Sequence, residues 1–384
     1  MIEFILFIST LLFLSCGQIG RLSFIHQQIQ VYLYELPLFL FTVLFYVKQG
    51  GFNAVVKEKW MRIFIVFVGW TALTYFFSLS KFSLTENGIG LMYQIRLLIY
   101  GFWIWAVSTY SVKNQTILRR GFFIFVISVT ISSFIQYFWY PDLRNQFYAG
   151  WDPHYFRMFG VFFDTYVAGA IFLLGFLVLI SKRLIRKNFV RIILSILWLG
   201  MCVMTYSRIV YLILFFGGLI FLFKKRMYFI FAVAMICTVG FFVLLPKPSG
   251  EGVNLLRTTS VSERVLSLEK GVRVWLSSPV WGVGYNRVRY VQQRMFPEKS
   301  ASLISDHAGA GFHSSFLIIG STTGIVGLFL FLWFLYELGK KSLWRSLILL
   351  VLSILSFVDN TLLYPMILGI LPVVLFLRPT PSDR

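Results

Sequence analysis

Apolar residues occur along this chain in long, nearly unbroken runs set off by short polar breaks, too continuous for the alternating faces of a soluble fold. Twelve runs predict membrane-spanning helices, at about 2–19, 31–47, 61–79, 89–109, 119–138, 159–181, 189–206, 208–223, 227–245, 313–336, 343–358 and 361–377. The fourth carries Arg96, the sixth carries Asp164, and a tight turn at Ser207 separates the seventh from the eighth. Arg96 should face the protein interior and pair with Glu35 or Asp164. The predicted fold class is an all-α polytopic integral membrane protein, one membrane domain over 1–384.

The pattern changes once, in a long polar loop at about 246–312 that holds nine Lys and Arg residues. Ser260 and Glu263 have the spacing of a helix capping box. Val261, Val265, Leu268, Val272 and Trp275 follow at helical spacing, and Pro279 ends the run. The segment predicts an amphipathic helix lying on a membrane surface, with Arg264 at the edge of its apolar stripe and Arg273 on its polar side. Pro279 to Gly284 reads as a tight turn, and Gly324 with Gly327 as a site of close helix packing.

Composition agrees: 58% of residues are hydrophobic, 13% are charged and the mean hydropathy is +0.79. A net charge of +20 would suit nucleic acid, but the cations sit in short loops between apolar runs. Their distribution orients the chain. The even-numbered loops and the C-terminus carry twenty Lys and Arg residues, whereas the short odd-numbered loops carry five. Both termini are therefore expected in the cytoplasm and the long loop outside. The other sizeable outer loop, 139–158, is rich in aromatic residues. Glu3 and the absence of a basic leading segment make the first run an uncleaved helix. Cys16, Cys202 and Cys237 have no metal-ligand or disulfide spacing.

Candidate chemistry collects on the outer side. His313 stands where the tenth run begins, and an imidazole there can take a proton from a hydroxyl and release it. The plain alternative is an interfacial histidine bonded to a carbonyl. Arg208, following Tyr206 and Ser207, has the planar fork that suits phosphate oxygens, or it snorkels to the membrane surface. Arg157, Arg264 and Arg273 flank the membrane on the same side as phosphate ligands or lipid headgroup contacts. The outer loops hold no paired carboxylates and no metal-binding spacing.

In this order, Arg157-Met-Phe-Gly160, Tyr206-Ser-Arg208, Arg264 and Arg273, Ser278-Pro-Val-Trp-Gly282-Val-Gly284, and His313-Ser-Ser-Phe316 with Gly324 and Gly327, the chain resembles the O-antigen ligase and O-antigen polymerase family over about 157–336. It departs from the family pattern at Ser314, where asparagine is common, and at Asp164-Thr165, where Pro-Asn is common. The resemblance implies transfer of a glycan from an undecaprenyl-diphosphate carrier to a hydroxyl of an acceptor glycan or glycolipid. Such a reaction is expected on the outer face of a bacterial cytoplasmic membrane, inverting, with no cofactor, metal or nucleic acid. His313, Arg208 and Arg264 would be catalytic, and Arg157, Arg273, Ser314 and Tyr206 would bind substrate. A polymerase of the same family is the nearest alternative. A lipid-linked oligosaccharide flippase, or a non-catalytic scaffold, is the alternative from another class.

Overall fold

The computed structural model describes residues 1–25, 27–143, 154–181, 183–185, 187–224, 253, 259–297 and 311–379. The first apolar run forms α1, Ile2–Leu14, and stops short of its expected end. A tight 3-10 turn over Gly17–Gly20 leads into strand β1, Arg21–Phe24, which pairs antiparallel with β2, Ile29–Tyr32. This short hairpin is an addition to a fold that is otherwise helical, as expected. Leu22 and Phe24 fall in the expected break between the first two runs and Val31 at the head of the second, and all three are exposed. Helix α2, Glu35–Lys48, begins where Glu35 accepts a hydrogen bond from the Tyr32 amide at 3.0 Å.

The remaining runs form helices close to their expected places. After the single turn α3, Phe52–Val55, come α4 (Lys59–Ser78), α5 (Leu84–Tyr110), α6 (Gln115–Trp139), α7 (Thr165–Ile180), α8 (Asn188–Met204) and α9 (Arg208–Lys224). Two loop helices follow, α10 (Thr259–Leu276) and α11 (Val288–Met295), and then α12 (Ser315–Gly339), α13 (Leu343–Val358) and α14 (Pro365–Phe376). The expected span at 227–245 and the Ser260 side chain lie outside the described residues. Among the described residues, four helices are long and apolar enough to cross a membrane: α4 with its following turn, α5, α6 and α12. Helices α1, α7, α8, α9, α13 and α14 are shorter and apolar.

Aromatic and small residues set the packing. Phe64 and Phe67 of α4 meet Phe334 and Phe331 of α12. Gly175 of α7 lies so close to Trp198 of α8 that an added Cβ would come within 1.9 Å of the ring. The indole N–H groups of Trp198 and Trp103 are satisfied inside the bundle by Thr130 Oγ1 and the Gly369 carbonyl. Outward-facing positions such as Phe77, Phe329 and Phe357 are exposed and apolar, as a lipid-facing surface requires. Arg96 pairs with Glu35 at 2.6 Å, the first of its two expected partners. At one end of the bundle Glu337 of α12 binds Lys59 and Lys340. His313 marks the other end.

Helix α12 is broken at Gly324, which has φ 69° and ψ −172°. The segment Pro279–Gly284 enters the break. Val283 and Gly284 donate their amides to the carbonyls of Ser321 and Thr322, and the Pro279 carbonyl accepts from the Ile325 amide. Trp70 of α4 donates its indole N–H to the Thr323 carbonyl at 2.8 Å and stacks on Trp281 at 4.9 Å. Every one of these groups would otherwise be an orphan of the broken helix. Gly324 therefore serves the break, not close packing of two helices, because a Cβ there would lie 1.9 Å from the Val280 carbonyl oxygen.

Candidate active site

Four junctions meet at the His313 end: the segment before α7, the α8–α9 turn, the start of α12 and the α13–α14 turn. The first is built around Gln136 of α6, whose Oε1 accepts the amides of Phe159 and Gly160, each at 3.0 Å. Gly160 is at φ 56°, and its missing Cβ makes room for Ser133. Arg157 is buried, and donates to the carbonyls of Thr205 at 2.8 Å and Tyr206 at 3.5 Å. The Arg157 motif thus holds the end of α8. Tyr206 is buried in the left-handed region at φ 52°, and that conformation makes the sharp turn from α8 into α9. Arg208 is half-buried as the first residue of α9.

His313 is fixed from two sides. Its amide donates to Ser267 Oγ of α10 at 3.1 Å. Its Nδ1 faces Asp359 Oδ1 at 3.6 Å, with the imidazole 46% exposed. Asp359 is placed by the two serines that follow the histidine. Ser314 Oγ donates to the Ser356 carbonyl at 3.0 Å and caps α12 through the Leu317 amide. Ser315 Oγ donates to Asn360 Oδ1 at 3.0 Å and accepts from the Leu362 amide. These bonds staple the start of α12 to the α13–α14 turn. The Asp359 carboxylate raises the His313 pKa above its ordinary value, against the opposing effects of burial and the Arg264 charge.

Helix α10 brings Arg264 into this group. Its buried face packs on the start of α12, with Gly271 against Leu317 and Trp275 against Gly320. Val261, Val265, Leu268 and Val272 remain exposed on another face. The Arg264 guanidinium lies over the ring of Tyr166 of α7, 4.6 Å from its centroid. Arg273 is exposed more than two turns further along α10 and pairs with Glu269 at 2.6 Å. Helix α11 docks elsewhere: buried Arg287 bonds Glu86 and Asn87 at the start of α5, and Tyr290 reaches Gln28 in the hairpin turn.

Asp164 is the N-cap of α7, accepting from the amides of Tyr166 and Val167. The expected residues His313, Arg157, Tyr206, Arg208 and Ser314 thus stand at junctions of one end, and Arg264 reaches it from α10. Asp359 and Gln136 were not singled out from the sequence. A lone acid in a short break between two apolar runs gives no spacing signal. Among the described residues no group of His, Cys, Asp and Glu is arranged to hold a metal ion.

Residues 193–332, which include Tyr206, Arg208, Arg264, Arg273, His313 and Ser314, match the family described as O-antigen ligase. This segment is similar to the O-antigen ligase family. The O-antigen ligase family indicates a ligase- or polymerase-type activity on a lipid-linked glycan and an acceptor sugar. With the apolar helices it also indicates a bacterial membrane protein. Arg157, Asp164 and Asp359 lie outside the segment of the O-antigen ligase match and join it only through the fold. No curated protein is similar enough to the chain to count as a relative.

Proposed function

We propose that the chain transfers a glycan from an undecaprenyl-diphosphate carrier to an acceptor sugar hydroxyl on the outer face of the cytoplasmic membrane. The observation that carries this reading is the His313–Asp359 pair standing in the same cluster as Arg264. Asp359 orients the imidazole through Nδ1, which leaves Nε2 to take the proton of the acceptor hydroxyl. The acceptor oxygen attacks the anomeric carbon of the donor from the side opposite the diphosphate. The bond between that carbon and the phosphate oxygen breaks, and the diphosphate leaves with the electron pair. Arg264 and Arg208 stabilise the charge that develops on it. The guanidinium groups take the place a metal ion would have in such a step. Arg157 holds the junction that presents Arg208, and Ser314 holds the turn that presents Asp359.

The charge alternation supports the face. All four junctions of the cluster belong to the odd-numbered loops, which the cation count assigns to the outside.

The test uses purified protein in lipid with a labelled carrier-linked oligosaccharide and candidate acceptors, with chelator present. Release of the carrier diphosphate that requires His313 and survives chelator is the expected result. A single addition identifies a ligase and a ladder identifies a polymerase. A folded wild type that binds the carrier and releases nothing with any acceptor would overturn the reading.

A further inference from the structure

The end of the bundle opposite His313 gathers arginines for which the proposed reaction has no use. Arg119 of α6, Arg183 after α7 and Arg345 of α13 converge on residues 376–379 at the close of α14. Arg119 donates from Nε to the Arg183 carbonyl at 3.2 Å, and from Nη2 to the carbonyls of Arg378 at 3.3 Å and Pro379 at 3.0 Å. Arg183 donates from Nη1 to the Leu377 carbonyl at 2.7 Å and lies over Trp344, 4.3 Å from its ring centroid. The Arg345 guanidinium stands 5.3 Å from the ring centroid of Phe376. Gln115 donates to the Phe376 carbonyl at 3.0 Å and accepts from the Arg378 amide at 2.9 Å, which fixes the backbone the arginines share.

Capping the end of a helix explains part of this arrangement. It does not balance the charge. A helix C-terminus offers about half a negative charge, against three cations. The described carboxylates at this end, Glu3, Glu58 and Glu337, are each held by lysines. Donors are left over as well. A guanidinium has five N–H groups, and the Nε of Arg183 is buried with no hydrogen-bond partner among the described residues. All three arginines are half-buried, within reach of a ligand from outside.

The planar fork of arginine suits phosphate oxygens, and the surroundings suit a lipid. Phe123, one turn along α6 from Arg119, is exposed and apolar, as is Ile180 at the end of α7. Basic groups at the membrane surface attract anionic lipid. We propose that Arg119, Arg183 and Arg345 bind the phosphate of one anionic glycerophospholipid, with its acyl chains against α6 and α7. The site is independent of the transferase reading, since it lies at the other end of the bundle and is measurable without turnover.

The test is native mass spectrometry of the full-length protein released from nanodiscs of phosphatidylglycerol mixed with phosphatidylcholine. Wild type should retain one phosphatidylglycerol in preference to phosphatidylcholine. Arg345→Gln breaks no hydrogen bond of the fold among the described residues and should weaken retention about fivefold. Arg345→Lys keeps the charge, loses the fork and should recover part of it. Arg183→Gln should weaken retention at least as much as Arg345→Gln. Lys48→Gln removes a charge at the same end outside the cluster and should change retention by less than about twofold. Equal losses in Arg345→Gln and Lys48→Gln would show attraction to the basic face as a whole and overturn the inference, as would equal retention of the two lipids by wild type. Inorganic phosphate at the same concentration should leave the lipid bound. Displacement of the lipid by it would give the site to a free anion and overturn the assignment to a lipid.

Discussion

Arg264 of α10 holds its guanidinium over the ring of Tyr166 of α7, 4.6 Å from its centroid, and its Nε is buried with no hydrogen-bond partner among the described residues. The contact anchors a loop helix to the bundle and keeps a planar cation aimed into the cluster. A cation held over an aromatic face is worth about 0.5–2 kcal/mol. Tyr166→Phe keeps the ring and should leave the KM for the lipid-linked donor unchanged. Tyr166→Leu should raise that KM roughly three- to tenfold. Arg264→Lys keeps the charge and loses the fork, so kcat should fall as well. Steady-state kinetics of carrier release separate the three.

The pairing of His313 with Asp359 predicts a graded pair of losses. His313→Ala should lower kcat by about 100- to 10,000-fold, the range for a positioned general base. Asp359→Asn should cost less, because the imidazole remains. Equal activity of wild type and Asp359→Asn across pH would show that the carboxylate does not act through the histidine.

Ser315 is predicted to matter more to rate than to stability. Ser315→Ala removes the bonds to Asn360 and Leu362 that hold the Asp359 turn. The expected loss of stability is about 1 kcal/mol, as for a typical hydrogen bond. Turnover should drop well beyond what that loss of folded protein explains, which thermal unfolding and kinetics on one preparation would reveal.

Stability should decline as pH rises through one window, set by His313. The pKa of His313 is raised in the folded state, so its contribution is full below about 6.5 and is lost as pH rises through the folded value. Unfolding followed across pH in wild type and in Asp359→Asn should show a flatter limb in the variant as pH rises past about 6.5.

Much of the architecture was legible because a bilayer imposes a simple rule on sequence, and apolar runs and short basic breaks mark helices and their ends. The partner of Arg96 was legible too, since a mid-span cation needs an acid and Glu35 stands at the head of α2. What stayed hidden depends on tertiary contact. The hairpin over 21–32 keeps apolar residues exposed. Gln136 looks like any polar residue in a long helix until its amide clamps the Arg157 turn. Asp359 gains its meaning only from the stapling of two turns distant in sequence. The candidate site was read from residues with spacing or topology behind them, and Asp359 had neither.

Gly324 makes one more prediction. Its φ of 69° and its closeness to Val280 leave no room for a side chain. Gly324→Ala should destabilise the protein by about 1–3 kcal/mol, and displace the Trp281 ring from Trp70. A lowered unfolding temperature with altered tryptophan fluorescence would register both.

The break in α12 also decides how this protein could be re-engineered or could diverge. The segment around Val280 to Gly284 completes the backbone of a bundle helix, and Trp70 on a third element finishes the job. A chimaera that imports only a foreign loop would leave bare carbonyls in the middle of the scaffold. A working swap has to carry three separated stretches of sequence at once, the loop segment, the glycine of α12 and the indole of α4, so these should be inherited as a set.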